Sequence, residues 1–202
     1  GKASRMGGVD KAFLKIGKET LINRQLRLLG RLFKKIIIVT NSPERYKNLK
    51  GVNPVRKNSK IKRKVFSNGV KVISDFLPQR GPLGGICSGL SVSDDHYNFV
   101  VACDMPFLNL PLIKYMTKLK EGFDIVVPRL KKGYESLFAV YSKACLRQIS
   151  PILHTRNLRV RDIFGKVKLR EISEKEIRKF GNPQILFMNI NTPKDLCRIT
   201  TL

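Results

Sequence analysis

Acidic residues are scarce in this sequence, and the scarcity narrows the classes of partner that it can bind. Fifteen Asp and Glu stand against forty Lys and Arg, which gives a formal net charge of +25 over 202 residues. A balance this basic favours an anionic partner, such as a nucleotide, a nucleic acid or a membrane surface. Solvated surface lysines explain the excess equally well, and charge alone does not separate a nucleotide from a nucleic acid.

Cysteine and histidine patterns typical of metal sites are also lacking. The four cysteines are widely spaced, without a CxxC motif or a Cys/His pair at zinc spacing, which argues against a zinc knuckle. Cys103 lies in an apolar run, so we expect it to be a core strand residue. His96 and His154 are isolated, and we expect no catalytic role for either.

Long apolar runs are missing as well. No run of eighteen apolar residues and no signal-peptide pattern occurs, so we expect a protein that is neither exported nor inserted in a membrane. Together with the cysteine pattern, this favours a reducing cytoplasm. An apolar content of 42% is ordinary for a globular protein, and the length suffices for one α/β domain.

The apolar pattern alternates between helical and strand periods. Apolar residues at helical spacing follow Thr20, and a β-branched run over 36–39 is typical of a buried strand. A helix of small residues is expected from Gly81. Further strands are predicted over 70–75, 98–104, 123–128, 135–142 and 185–191, and further helices over 108–120, 143–153 and 193–199. The alternation predicts a single domain over 1–202, a three-layer α/β/α sandwich with a mostly parallel, Rossmann-like sheet.

One segment interrupts this alternation. Residues 51–69 hold six Lys or Arg and no acid, in a connection unusually long for a compact domain. We expect a solvated, flexible insertion without chemistry. A nucleic-acid-binding or substrate-steering arm is the alternative for this segment.

Polar residues at the ends of strands mark a candidate site. Ligands of open parallel sheets bind beyond the carboxyl ends of the strands, where this chain places Asn41, Asp75 and Asp104. Each could equally be a helix cap. The opening loop "GKASRMGGVDK" adds glycines that let backbone N–H groups approach phosphate, with Arg5 and Lys11 as cations. It is not a Walker A motif, and a carboxylate such as Asp104 is a suitable ligand for Mg²⁺.

Four stretches together resemble the molybdenum cofactor guanylyltransferases, the MobA-like nucleotidyltransferases. They are "GKASRMGGVDKAFLKIGKETLI", "VISDFLPQRGPLGGICSGL", "VACDMPFL" and "FMNINTPKDL". The resemblance covers the chain except 51–69 and is weakest over 143–182. It implies the nucleotide-diphospho-sugar transferase fold. It also implies transfer of GMP from GTP to the phosphate of molybdenum-loaded molybdopterin, with Mg²⁺ and release of pyrophosphate.

The resemblance also implies roles for individual residues. Lys11 matches the phosphate ligand and Arg5 its basic partner, while Asp104 matches the catalytic Mg²⁺ ligand. Nucleotide-binding positions are implied at Gly1, Lys11, Asn41, Asp75 and Asp104. Asn189 and Asn191 match asparagines on the acceptor side, although sheet-end residues would show the same alternation. Ser136 stands where the family often has Pro, which weakens the match for acceptor recognition.

The family's first strand and its Leu-Ala-Gly turn, which precede the glycine loop, are not in this sequence. That strand normally lies in the middle of the sheet, so we expect the sequence to be a fragment of a longer product, and an impaired protein is the alternative. Base choice depends on this turn, which leaves CTP or another acceptor open. A basic nucleic-acid-binding protein and a non-catalytic nucleotide-binding module are further alternatives. Molybdoenzymes or their chaperones are candidate partners if the resemblance holds.

Overall fold

The computed structural model describes residues 10–47, 49, 64–65, 69–155, 158–192 and 194–196. Ten strands are present in this part of the chain: β1 (Lys15–Ile16), β2 (Glu19–Thr20), β3 (Ile36–Thr40), β4 (Lys64–Val65), β5 (Val70–Ser74), β6 (Tyr97–Val101), β7 (Ile125–Leu130), β8 (Gly133–Tyr134), β9 (Phe138–Ser142) and β10 (Leu169–Ser173). The α-helices are α1 (Leu21–Leu29), α2 (Gly81–Val92), α3 (Leu110–Lys118), α4 (Leu146–Leu153), α5 (Glu174–Ile177) and α6 (Pro183–Leu186). Short 3-10 segments cover Lys11–Phe13, Pro43–Tyr46, Lys143–Cys145 and Val160–Lys166.

Helix starts follow ordinary capping chemistry. Helix α1 begins after Thr20, whose hydroxyl accepts a hydrogen bond from the Asn23 N–H, as the sequence predicted. Helix α2 begins at Gly81, whose φ of +58° is a left-handed conformation that glycine adopts without strain. Helix α3 is capped by Asn109, which accepts from the Leu112 N–H at 2.8 Å.

The strands form a mixed arrangement. One sheet has the order β10-β7-β9-β6, with β8 beside β7, and a second has the order β3-β5-β4. The pairs β3–β5 and β7–β10 are parallel, whereas β9 runs antiparallel to both β6 and β7. In the described part of the chain β3 and β6 each pair along one edge only.

The two sheets lie side by side where β3 and β6 begin. Lys35, just before β3, lies 3.5 Å from the Asp94 carboxylate, just before β6. The ring of Phe33 stacks on Phe99 of β6, with 5.9 Å between the ring centroids.

Alternate residues of the sheet pack on opposite faces, which gives three layers. On β7, Val126 faces the cluster that includes Leu112 and Met116 of α3. Its neighbour Ile125 faces the other cluster, which contains Ile149 of α4 and Leu83 of α2. Because strand side chains alternate between faces, helices cover both faces of the sheet, and the expected α/β/α sandwich is confirmed.

Three local expectations were wrong. Strand β6 ends at Val101 rather than 104, and Cys103 is an exposed turn residue instead of a core residue. The Ala102 carbonyl beyond the strand accepts from the side chain of Gln25. Residues 185–191 are not a strand, because Asn182 accepts from the Gln184 N–H and starts the short helix α6.

The basic segment 51–69 lies largely outside the described residues. Its residues Lys64–Val65 form β4, which pairs antiparallel with β5. The end of this segment therefore joins the sheet. In the described residues no helix is long and apolar enough to cross a membrane.

Candidate active site

The Lys11 side chain extends from a fixed turn. The Asp10 carboxylate accepts from the Ala12 N–H at 3.1 Å and caps the 3-10 turn Lys11–Phe13. Ala12 is fully buried, and the Phe13 ring packs on Tyr46 with 5.0 Å between the centroids. Burial and the nearby Asp10 carboxylate raise the pKa of Tyr46, so its ring stays neutral at physiological pH. Lys11 therefore starts from an anchored piece of backbone.

Asp104 lies in the turn that follows β6. Its carbonyl accepts from the Ile190 N–H at 2.9 Å, which joins this turn to the segment that carries the two asparagines. The Asp104 side chain is about one-fifth exposed, at 21%. A carboxylate in this setting is reachable by a ligand and still held in place.

Lys11 brings Asp104 and Asn191 together. Its ammonium donates to Asn191 Oδ1 at 2.8 Å and lies 3.3 Å from Asp104 Oδ2. Partly exposed ion pairs contribute only about 0–1 kcal/mol to folding. The charges of Lys11 and Asp104 are thus available for exchange with a charged ligand at little cost in stability.

Asp195 holds Asn191 in this position. Its Oδ2 accepts from the Asn191 N–H at 2.9 Å and from the Thr192 N–H and hydroxyl at 2.8 and 2.9 Å. The sequence analysis missed Asp195. The Asx- and ST-type pattern of Thr192 and Asp195, three residues apart, is the signal that would have indicated it.

Asp75 and Asn41 lie together at the carboxyl ends of β5 and β3. The Asp75 N–H donates to the carbonyl of Thr40, directly before Asn41. Asp75 Oδ1 accepts from the Leu77 N–H at 3.0 Å and from the Ser88 hydroxyl at 2.8 Å, so it also organises the loop before α2. Among the described residues no hydrogen bond or ion pair joins Asp75 or Asn41 to Lys11. Gly1 and Arg5 lie outside the described residues.

A cleft with a volume of about 670 Å³ opens beside Asp104 and Asn189. Four cationic side chains line it: Arg129, Lys132, Arg159 and Arg161. Arg129 lies 3.5 Å from the Glu171 carboxylate, and Lys132 lies 2.7 Å from Glu135. For Arg159 and Arg161 the described part of the chain supplies no side-chain hydrogen bond or ion pair. The sequence did not single out these cations, because Lys and Arg occur along its whole length.

The oxygens at this edge of the cleft suit a hard cation. Asn189 Oδ1 is buried and has no hydrogen-bond partner in the described part of the structure, an arrangement that costs about 1–3 kcal/mol unless a ligand satisfies it. Asp104 supplies a carboxylate on the same cleft. No group of three or more His, Cys, Asp or Glu suited to a metal occurs in the described residues. The Asp104 carboxylate and the Asn189 amide oxygen fit Mg²⁺, because this ion takes one or two carboxylates and completes its shell with phosphate oxygens and water.

Comparison with known proteins agrees with this architecture. Residues 1–171 match the family described as the MobA-like NTP transferase domain. The chain is 34% identical to a probable molybdenum cofactor guanylyltransferase of Pelotomaculum thermopropionicum, over 98% of this chain and 87% of that protein. It is also 34% identical to the molybdenum cofactor guanylyltransferase of Desulfosudis oleivorans, over 97% of this chain and 88% of that protein.

A solved structure shares the fold. The molybdopterin-guanine dinucleotide biosynthesis protein A of Archaeoglobus fulgidus superposes with a TM-score of 0.76 at 22% identity, covering 100% of this chain and 93% of that one. The sequence match and the shared fold lead to one conclusion: the chain belongs to the MobA-like NTP transferase domain family, a family of nucleotidyltransferases.

Proposed function

We propose that this protein transfers GMP from GTP to the phosphate of a molybdopterin-type acceptor, with Mg²⁺ and release of pyrophosphate. The observation that carries the proposal is the convergence of Lys11, Asp104 and Asn191 at the edge of a cationic cleft. The acceptor and the base are proposed from the relatives, which are molybdenum cofactor guanylyltransferases.

The chemistry requires charge neutralisation rather than a protein nucleophile. A phosphate oxygen of the acceptor forms a new bond to the α-phosphorus of GTP. The bond from that phosphorus to the oxygen bridging to the β-phosphate breaks, and pyrophosphate leaves. Such transfers depend on alignment and on electrostatic stabilisation of the phosphoryl oxygens. Bound Mg²⁺ would supply part of that stabilisation, with Asp104 and Asn189 as its protein ligands.

Lys11 has a distinct part in this scheme. Its ammonium lies 3.3 Å from Asp104 Oδ2, so a positive charge already occupies the position beside this carboxylate. Lys11 would pair with the phosphate oxygens of a bound triphosphate, and the Asp104 carboxylate would then be free to hold Mg²⁺. Asn191 accepts from Lys11 and orients the ammonium between these two positions.

The cationic cleft is the proposed acceptor site. Arg159 and Arg161 line it and have no acidic partner among the described residues, so they can pair with a phosphate monoester. Arginine recognises phosphate with paired N–H donors. The cleft adjoins Asp104, so an acceptor phosphate held there would lie beside the carboxylate that we assign to the metal.

A direct assay tests the proposal. The full-length protein is incubated with Mg²⁺, molybdopterin acceptor and either GTP or CTP, and pyrophosphate and dinucleotide are measured. We expect pyrophosphate with GTP only in the presence of acceptor. Asp104→Asn should abolish it, while Asp94→Asn, a change at an exposed surface carboxylate, should leave it unchanged. Faster turnover with CTP would overturn the choice of base, and full activity of Asp104→Asn would overturn the metal role.

A further inference from the structure

A buried amide on α1 holds both sides of the Asp104 turn. Gln25 is only 4% exposed and is one of the few buried polar residues in the described part of the chain. Its Nε2 donates to the carbonyls of Ala102 and Met105, each at 2.9 Å. Burial of an amide is unfavourable unless its hydrogen bonds are made, and here both donors are used on one turn.

The two bonded carbonyls stand on either side of Cys103 and Asp104. The turn is also held at two further points, since the Ala102 N–H donates to Leu137 O and the Ile190 N–H donates to Asp104 O. Without Gln25 these outer contacts would remain, but the carbonyls that bracket the turn would lose their donor. The bonds from Gln25 thus hold the backbone on both sides of the residue that carries the Asp104 carboxylate.

Helix α1 also connects this turn to Lys11. It begins directly after the β1–β2 hairpin, and the Leu21 N–H donates to Leu14 O, next to the turn that carries Lys11. The elements bearing Lys11 and Asp104 are therefore both attached to one helix. Gln25 is the side chain of α1 that hydrogen-bonds the backbone on both sides of the Asp104 turn in the described part of the chain.

We propose that Gln25 is a positioning residue that sets the Asp104 carboxylate in register with Lys11 and with the metal–triphosphate complex. This inference rests on the proposed function. A residue needed only for folding would change stability and leave ligand affinities alone. A positioning residue changes the affinity for the metal complex, as residues that orient metal ligands do, by about 10–100-fold.

The test uses Gln25→Met, which keeps the length of the side chain and removes its donors. The affinity of the protein for Mn²⁺–GTP is measured by water-proton relaxation without acceptor, and the affinity for GTP is measured separately in EDTA. We expect binding of Mn²⁺–GTP to weaken about 10–100-fold. The affinity for metal-free GTP should change by less than about threefold, which is the size of deviation seen between independent sites. With acceptor present, kcat should fall by more than the KM for GTP rises.

Ser142→Ala is the matched control, because it removes a buried hydroxyl from the opposite end of the sheet. Ser142 is fully buried and bonds Asp124, and its strand partner is Tyr97 at the start of β6. This control should lower the melting temperature without changing the affinity for Mn²⁺–GTP. If Gln25→Met does not fold, Gln25→Asn, which keeps a shorter amide, is measured in the same way and should show an intermediate loss.

A folded Gln25 variant that binds Mn²⁺–GTP as tightly as the parent protein overturns the inference and leaves the proposed function standing. A parent protein that binds GTP no more tightly with Mn²⁺ than in EDTA contradicts the metal role of Asp104. That result overturns the proposed function and this inference together.

Discussion

The ammonium of Lys11 donates to Asn191 Oδ1 across 2.8 Å, although the two residues are 180 positions apart. Through the same ammonium Asn191 is coupled to Asp104, 3.3 Å from Lys11. Three segments that are far apart in the chain thus share one proton donor at the edge of the cleft.

Lys11→Met should change metal binding and turnover in opposite directions. Removal of the ammonium leaves Asp104 without the cation that competes with a metal for this carboxylate. Mn²⁺ in the absence of nucleotide should therefore bind more tightly, which electron paramagnetic resonance measures. Turnover with GTP should fall at least about 100-fold, the order expected for loss of a group that stabilises transition-state charge. Lys15→Met, at an exposed lysine of β1, is the control for lost surface charge. Equal loss in both variants would contradict the assignment of Lys11.

Two adjacent glycines of α2 should respond differently to alanine. A Cβ on Gly84 would lie 2.8 Å from Leu77 O and 3.4 Å from Asp75 Oδ2, whereas a Cβ on Gly85 meets nothing within 4 Å. Gly84→Ala should therefore displace the loop that Asp75 organises and raise the KM for GTP. Gly85→Ala should raise stability by up to about 1 kcal/mol, because alanine favours the helix. Steady-state kinetics and thermal unfolding of both variants check this, and an unchanged KM in Gly84→Ala would exclude the loop from nucleotide binding.

Arg159→Gln and Arg161→Gln should affect the acceptor and not the nucleotide. Loss of a charge-assisted hydrogen bond to phosphate costs about 1.5–3 kcal/mol, so the KM for the acceptor should rise at least about tenfold in one or both variants. The KM for GTP should not change. Arg147→Gln, at an exposed arginine of α4, controls for net charge. A rise in the KM for GTP instead would place the nucleotide in this cleft.

Acid should destabilise the fold through Glu176. Partial burial alone would raise its pKa, but hydrogen bonds from Ser173 and Tyr115 and the charge of Arg170 outweigh burial and lower the pKa to about 2 from 4.5. The ionised carboxylate therefore adds stability above pH 4.5 that is lost progressively as the pH falls towards 2.

Chemical unfolding as a function of pH measures this contribution. At neutral pH Glu176→Gln should cost about 1 kcal/mol or more, and the variant should show a smaller loss of stability between pH 4.5 and 2 than the parent. Glu121→Gln, at an exposed carboxylate, should keep the parental pH profile. A parental profile in Glu176→Gln would mean that other groups carry the acid sensitivity.

Much of the fold could be predicted from periodicity. The strand after α1 and the helix from Gly81 are present where their apolar and small-residue runs predict them. The β-branched run favoured a strand buried on both faces, but β3 is half-buried at all five positions in the described part of the structure. The segment 185–191 was misread because an Asn-Pro helix start at Asn182 overrides a short apolar run. Cys103 lies in a turn that no local pattern indicates, where the distant side chain of Gln25 donates to the carbonyls of Ala102 and Met105.

The site was less accessible to sequence reasoning than the fold. The residue types at the strand ends could be named from the sequence, since Asp104 and Asp75 follow apolar strands. The contact between Lys11 and Asn191 depends on tertiary packing across 180 residues, which no local pattern encodes. Arg159 and Arg161 could not be singled out among the forty basic residues of the chain, because composition does not indicate which cations face a cleft.

The central claim is tested most directly by following label from GTP that carries ³²P at the α-phosphate. The full-length protein is incubated with this GTP, Mg²⁺ and molybdopterin acceptor, beside the Asp104→Asn variant. The account predicts that label appears in a dinucleotide form of the acceptor, with one pyrophosphate released for each transfer and no product from the variant. Absence of labelled dinucleotide with the parent protein, or equal labelling by the variant, would contradict it.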